Sequence, residues 1–494
     1  MLSQCLTVPE HFNEGLRPTR KNHYLLKSRM ITFSTKACLG RRSFLRLGSL
    51  GLGGFTLANL LRAESKAGVG SSHKAVIHLH LDGGPPQMDL IDPKPDAPAE
   101  IRGPFAPIAT KLDGLQLTEL LPKVASVADR FAFLRSLVGA DSRHDAFQCQ
   151  SGFGKQSLAA VGGRPALGCV VEKLLGSGPH DSPAFVDLMQ GRPLARNSAR
   201  PGFLGATCKP FRPDLSHLFR RELEQGMKGE LARLGEYHSD SLALVEGLSP
   251  ERIDMRLGIL ERFDKVRDKL DRSGSMAASD SFNQRAVAIL TSGKVAEAID
   301  LTREDPRVLE RYTPPNPTAG KQFTTAEGPL AARKLLIARR LVEAGVRCVS
   351  VSLSDFDTHS DNFPRMRHLG PILDHALWAL VTDLEERGML DDVTVLAWGE
   401  FGRTPKVNAK GGRDHWPKAS MGIMAGGGMR VGQVIGATDK TASEVTDRPI
   451  HYQDVIATLY NNLGIDPATD TITDLSGRPR QLVEQGVPIR ELVS

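Results

Sequence analysis

The sequence predicts an α/β fold in which a largely parallel sheet is covered by helices on both faces. Three observations predict it. Short apolar runs rich in β-branched residues recur at 75–81, 346–353 and 393–398. Amphipathic stretches of helical length separate the later runs, and each run ends in a loop rich in Gly, Pro, Asp or Glu. Strands spaced by whole helices must cross over in parallel, and the crossovers cover both faces of the sheet.

In chain order, Ala75-Val-Ile-His-Leu-His-Leu81 is the first strand, stopped by Asp82-Gly83-Gly84-Pro85-Pro86. His78 and His80 share a strand face with Asp82, and mid-strand histidines of this kind are expected to be buried and hydrogen-bonded. From 212 to about 312 the composition turns to Leu, Glu, Arg and Lys at helical spacing, which predicts a helical insertion. A helix over 330–344 stops at Gly345, and the strand at 346–353 runs into Asp355-Phe356-Asp357-Thr358-His359. The next helix is expected to begin at Pro371, to bury Ile372, Leu373, Ala376, Leu377, Leu380, Val381 and Leu384, and to end at Gly388. The strand at 393–398 delivers Gly399-Glu400-Phe401-Gly402-Arg403 at its tip. A loop with Asp414 and His415 then precedes a short strand near 421–425, and Gly426-Gly427-Gly428 reads as a hairpin turn.

Composition bounds the classes of function. The chain has 494 residues, 40% hydrophobic and 24% charged, with 48 Gly and 31 Pro, which excludes collagen, coiled coil and wholesale disorder. Its net charge of +6 is carried by one end: residues 1–67 hold eleven basic and three acidic side chains, leaving 52 basic and 54 acidic in the rest. A mature chain at −2 with no basic motif argues against nucleic-acid binding. Arg41-Arg42-Ser43-Phe44-Leu45-Arg46, the uncharged run 47–61 and Ser65-Lys66-Ala67 read as a twin-arginine signal cleaved after residue 67, with Met30 as an alternative start. That run is too short and Gly-rich to span a bilayer, which takes about 20 apolar residues. The expected location is therefore periplasmic or extracytoplasmic, with the twin-arginine export machinery as a partner and no integral span in the mature chain. Cys149, Cys169, Cys208 and Cys348 lack the close spacing of zinc or redox sites and are expected to be buried thiols.

The candidate chemistry lies at the strand tips, where ligands gather in open α/β sheets. Asp82, Asp357, His359 and Glu400 each follow a predicted strand, and His415 lies in the next loop. Oxygen and imidazole donors of this kind suit Zn²⁺, Mn²⁺, Mg²⁺ or Ca²⁺, and a cation there would polarise a phosphoryl or sulfuryl oxygen. Asp414 beside His415 is a candidate to orient its imidazole.

Residues from about 75 to 479 resemble the DUF1501 family of the alkaline phosphatase-like, sulfatase-like superfamily. Four blocks carry the resemblance: Gly83-Gly84-Pro85-Pro86-Gln87-Met88-Asp89-Leu90-Ile91-Asp92-Pro93, Phe356-Asp357-Thr358-His359-Ser360-Asp361-Asn362-Phe363, Gly399-Glu400-Phe401-Gly402-Arg403-Thr404-Pro405 and Gly412-Arg413-Asp414-His415-Trp416-Pro417. The resemblance implies a three-layer αβα sandwich and metal-assisted attack on a sulfate or phosphate ester. It implies metal binding by Asp82, Asp357, His359 and His415. Glu400-Phe401 stands where many members carry Asp-His. Cys208-Lys209-Pro210-Phe211-Arg212 matches the short sulfatase nucleophile pattern, whereas Ser142-Arg143-His144, ten residues before Gly152, is the better positional counterpart. Ser142 is then the candidate nucleophile, assisted by the metal or by His144, and Arg143 or Arg403 the candidate to hold the ester oxygens. Two functions stay open: a metal-dependent hydrolase of a small-molecule or polysaccharide ester, and a non-catalytic binding or assembly protein on the same fold.

Overall fold

A computed structural model describes residues 73–176, 182–188, 199–213, 293–314 and 327–493, with isolated positions between them. The leader reading over 1–67 and most of the expected insertion over 212–312 lie outside these residues.

Eight strands form the central sheet among the described residues. They are β1 (Ala75–Leu81), β2 (Phe131–Val138), β3 (Phe185–Leu188), β4 (Cys348–Leu353), β5 (Val393–Trp398), β6 (Ser420–Gly426), β7 (Gln433–Ile435) and β8 (Ile450–His451). The order is β7-β2-β6-β5-β1-β4-β3, and β8 pairs with β2 beyond β7. β1 lies at the centre, with Val76 opposite Cys348 of β4 on one side and Thr394 of β5 on the other, both parallel. Only β6 runs against its neighbours β5 and β2. The four strands read from the sequence are all present, and β1 and β5 have the expected bounds.

Alternation along each strand divides the interior into two cores. Ile77 and Leu79 of β1 and Val395 of β5 face α3 (Arg333–Glu343) and α4 (Asn362–Glu386) through Leu335, Leu336, Leu373, Leu377 and Leu380. Val76 of β1 and Leu396 and Trp398 of β5 face α2 (Leu167–Leu175) and α5 (Tyr452–Asn462) through Val170, Ile456, Leu459 and Tyr460. The short α1 (Phe147–Ser151) caps the site end. The fold is a three-layer αβα sandwich.

Two local expectations are corrected. α4 starts at Asn362, nine residues before Pro371, which lies inside the helix. Pro371 and Arg367 both sit on the exposed side, where water can satisfy the carbonyl that loses its intrahelical partner, while Met366 and Leu369 extend the buried stripe toward the N-terminus. The turn at Gly426-Gly427-Gly428 is not a hairpin: β6 and β7 do not pair with each other but flank β2 on opposite edges.

Candidate metal centre

The carboxyl ends of β1, β2, β4 and β5 meet at one edge of the sheet. β6, being antiparallel, begins at that same edge, so the loop before it also arrives there. Backbone bonds lock the tips together: Asp82 N donates to Leu353 O at 2.8 Å, and Phe356 N donates to Asp82 O at 3.1 Å. Gly83 has φ +113°, and a Cβ there would stand 2.3 Å from the backbone nitrogen of Asp357. Glycine is what lets the β4 loop close over the tip of β1. At Gly412 a Cβ would meet the carbonyl oxygen of His359 at 2.0 Å, so the loop carrying His415 can lie directly on the loop carrying His359.

The donors fall into two groups. His144, Asp357, His359 and His415 present ligand atoms within 4.8 Å of one another, and His80, Asp82 and Glu400 do the same in a fully buried group. The single five-donor point expected from the sequence is thus divided, with Asp82 and Glu400 in one group and Asp357, His359 and His415 in the other. His144 spans the two, with Nδ1 2.9 Å from Glu400 Oε1 and Nε2 3.1 Å from Asp357 Oδ2.

The proton positions in the first group follow from its partners. His359 Nδ1 lies 2.6 Å from Asp414 Oδ1, and His415 Nδ1 lies 2.9 Å from the carbonyl of Ser142. A carboxylate and a carbonyl only accept, so each Nδ1 carries a proton and each Nε2 is the ring nitrogen turned inward. These two Nε2 atoms are 3.0 Å apart, and Asp357 Oδ1 lies 3.1 Å from one and 3.5 Å from the other. Atoms of this kind at this range must share either a proton or a cation, and with both rings neutral they present lone pairs to one point. In the second group, both ring nitrogens of His80 and Oε2 of Glu400 are buried with no hydrogen bond, although His80 Nε2 and Glu400 Oε2 are only 3.4 Å apart. Buried polar atoms left this way are costly without a partner. Both groups fit a divalent cation, and their mixed imidazole and carboxylate donors suit Zn²⁺ or Mn²⁺ as well as harder ions.

Electrostatics in the protein alone agree with this arrangement. Burial opposes a charge on His144, but its hydrogen bonds to Asp357 and Glu400 outweigh it and raise the imidazole to about 9. Burial likewise opposes ionisation of Asp357 and Glu400, yet His144 and the neighbouring imidazoles, joined at Asp357 by Arg403, hold both below the usual carboxylate range. The edge is thus built around ionised carboxylates.

Arg403 is fully buried and directs its guanidinium at the carbonyls of Gly83, Gly84 and Arg413 and at Asp357 Oδ1. Ser142 and Arg143 are exposed at the rim, where the bond from His415 holds the Ser142 backbone. Asp414 orients His359 rather than His415, because neighbouring residues of an extended segment point to opposite sides. Cys208 lies in the second core with Cys169 and Cys348, and Cys348 opens β4 at the end away from the donors. Arg212 of the same pattern pairs with Asp187.

His80 is the donor that sequence reasoning set aside. Its signal was the alternation His78, His80, Asp82 on one face of a strand leading to a donor tip. His78 is the satisfied core histidine: its Nε2 accepts from Trp398 Nε1 at 2.7 Å, and burial, with His80 adding, lowers it to about 3.

A buried network beneath the donors explains why the sequence blocks contain the residues they do. Arg413 makes a two-pronged pair with Asp89, both bonds 2.9 Å, and Asn362 Nδ2 donates to Asp89 at 2.7 Å. Thr358 Oγ1 donates to Asn362 at 2.7 Å, and Gln87 bonds both backbone groups of Arg403. All four blocks are thereby fastened together beneath the loops that carry Asp357, His359 and His415.

Residues 73–493 match the family described as "Protein of unknown function (DUF1501)". The chain belongs to that family. No curated protein is similar to this DUF1501 chain. Among solved structures it is similar to the PsFucS1 sulfatase from Pseudoalteromonas sp., at 14% identity and TM-score 0.35, over 83% of this chain and 71% of the sulfatase. It is also similar to a lipoteichoic acid synthase from Listeria monocytogenes, at 9% identity and TM-score 0.30, over 80% and 72%. A phosphonate monoester hydrolase from Agrobacterium radiobacter matches at 11% identity and TM-score 0.30, over 79% and 74%. No described helix of the DUF1501 chain is long and apolar enough to cross a membrane.

Proposed function

We propose that the protein is an exported, metal-dependent hydrolase of sulfate or phosphate esters on an alkaline phosphatase-like fold. The observation that carries the reading is the convergence of His359 Nε2, His415 Nε2 and Asp357 Oδ1, each ring fixed by its Nδ1 bond so that Nε2 faces inward. His359, His415, Asp357 and His144 would hold one cation, and His80, Asp82 and Glu400 a second. Such cations supply charge to polarise the ester oxygen and lower the pKa of a bound hydroxyl or water.

The remaining roles belong to the chain itself. Ser142, at the open rim beside His415, is the proposed nucleophile, and exposed Arg143 the group that meets the anionic ester oxygens. Arg403 is a positioning residue in this reading: its buried guanidinium fixes Asp357 against the β1 turn. Asp414 keeps the proton on His359 Nδ1 and so keeps Nε2 open. Cys208 takes no part, since it lies in the core at the other end of β4. The twin-arginine leader accounts for export, and that route carries proteins that have folded and taken up metal before leaving the cytoplasm.

The test is metal analysis of the exported protein beside an Asp357→Ala/His359→Ala double variant, followed by a screen of sulfate and phosphate esters. Stoichiometric metal lost in the variant, with metal-dependent hydrolysis in the parent, supports the reading. The second reading, a non-catalytic binding or assembly protein, is favoured by Phe401. Its buried ring lies 4.3 Å from that of His415, at a place where many members of the superfamily carry a ligand. A folded protein that binds no metal and cleaves no ester overturns the hydrolase reading and moves the weight to the second.

A further inference from the structure

The two donor groups differ most in their access to water. In the outer group the side chains of His359, His415 and Asp357 are 48%, 23% and 19% exposed. In the inner group His80 is fully buried, and Asp82 and Glu400 are each 2% exposed. His80 lies in mid-sheet, between Ser352 of β4 and Trp398 of β5. Both of its ring nitrogens and Oε2 of Glu400 are buried without a hydrogen bond, so the inner chamber is lined by atoms that need a partner and cannot reach water for one.

The cover over this chamber is made of identifiable pieces. The turn after β1 presses on the Glu400 loop: a Cβ at Gly84 would stand 2.5 Å from the Phe401 ring, and one at Gly399 would stand 2.3 Å from Cδ of Pro85. Gly83 N donates to Glu400 Oε1 at 3.0 Å, and Tyr452 of α5 donates its hydroxyl to Gly399 O at 2.9 Å. Toward the outer group the cover is His144, whose two ring nitrogens meet Glu400 and Asp357. The fully buried Phe401 ring lies 5.2 Å from the His144 ring, so at this position an apolar ring seals what a ligand would otherwise extend. His144 hangs from the loop between β2 and α1, residues 139–146, and a loop opens at lower cost than the sheet beneath it.

We propose that His144 and Phe401 gate the inner group, so that a cation held by His80, Asp82 and Glu400 leaves only when this cover opens, whereas one held by the outer group exchanges directly with solution. The inner cation is then taken up where the chain folds and the outer one where the protein works, and the two can be different metals. The inference rests on the metal-dependent reading for the presence of two cations and on burial alone for their different exchange.

The test is the kinetics of metal release from the full chain. The protein is loaded with Zn²⁺, freed of excess by gel filtration and mixed with an excess of a chromophoric chelator, and release is followed by absorbance. Two equivalents should appear in two phases, the second slower by about a hundredfold or more because it waits on local opening. Glu400→Gln and His80→Asn should each abolish the slow phase and keep the fast one, and Asp357→Ala/His359→Ala should do the reverse. His144→Ala and Phe401→Leu should keep the slow phase and speed it about tenfold or more. Each role is probed by two variants, so that misfolding of one leaves the other to decide. A single phase for both equivalents, fewer than two bound equivalents, or a slow phase that survives in the folded inner-group variants overturns the inference. A slow phase that neither gate variant speeds overturns the part given to His144 and Phe401. Ester hydrolysis is measured on the same preparation. Hydrolysis with single-phase release leaves the hydrolase reading standing without the inference, and two-phase release with no ester cleaved overturns the hydrolase reading and keeps the inference.

Discussion

His359 and His415 face each other through Nε2 atoms 3.0 Å apart, while Asp414 and the Ser142 carbonyl hold their Nδ1 protons on the outer sides. Neither ring can turn away without breaking its outer bond, so the pair is held with both Nε2 atoms beside Asp357, the arrangement that the proposed cation would need.

Chelation should therefore destabilise the protein. A cation that binds only the folded state adds about 2.7 kcal/mol at a hundred times its dissociation constant. Thermal melts with and without a strong chelator should differ by several degrees, and the Asp357→Ala/His359→Ala variant should show a much smaller difference. Equal shifts in parent and variant would place the metal elsewhere.

Asp89→Asn should be strongly destabilising. It leaves the buried guanidinium of Arg413 without its carboxylate, and breaking a buried pair in this way typically costs about 3–5 kcal/mol. Denaturant unfolding should show the loss, and Arg413→Lys should fall on the same side because an ammonium cannot make both 2.9 Å bonds. A change below about 0.5 kcal/mol, the range of ordinary surface substitutions, would mean the network does not support the site.

Gly83→Ala should impair metal retention more than any substitution of equal size on the surface. The added methyl would need the space of the Asp357 backbone nitrogen, 2.3 Å away, at a φ of +113° that side chains rarely adopt. Metal content after dialysis is the readout, and full retention would show that the β4 loop can shift without cost.

Cys208→Ser and Ser142→Ala separate the two nucleophile candidates. Cys208→Ser should leave ester hydrolysis within about twofold, while Ser142→Ala should lower kcat by about two orders of magnitude or more. The opposite pattern would restore the Cys-x-Pro-x-Arg reading and overturn the role of Ser142.

A pH effect is expected far from the site, on α4. Burial pushes Asp374 up to about 7 from an ordinary value of 3.8, against the pull of the amides of Val124 and Lys123 and the Lys123 charge. The folded state thus holds this proton more tightly than the unfolded chain. The stabilisation is complete below about pH 4 and is lost as pH rises through about 7. Unfolding free energies of wild type and Asp374→Asn, measured between these limits, should diverge, with the wild type losing more as pH rises. Parallel curves would show that Asp374 ionises at its ordinary value.

By itself the sequence determined the α/β class, the bounds of β1, the positions of β4 and β5 and the buried stripe of α4. Each of these is a local period of apolar residues between Gly and Pro signals, and such periods survive whatever the rest of the chain does. It also marked Asp82, Asp357, His359, Glu400 and His415, because donors just past a strand are visible as a pattern. Tertiary structure decided how those donors are grouped. The division into two sets depends on β6 running antiparallel, which brings His415 to the donor edge, and on β2 ending where His144 can reach both Asp357 and Glu400. Strand direction and neighbour order are long-range pairings with no local signature. The same holds for His80, which is a candidate donor only because Glu400, just past the adjacent strand, leaves an oxygen beside it, and for Arg403, whose position follows from the carbonyls of Gly83 and Gly84 more than 300 residues earlier in the chain.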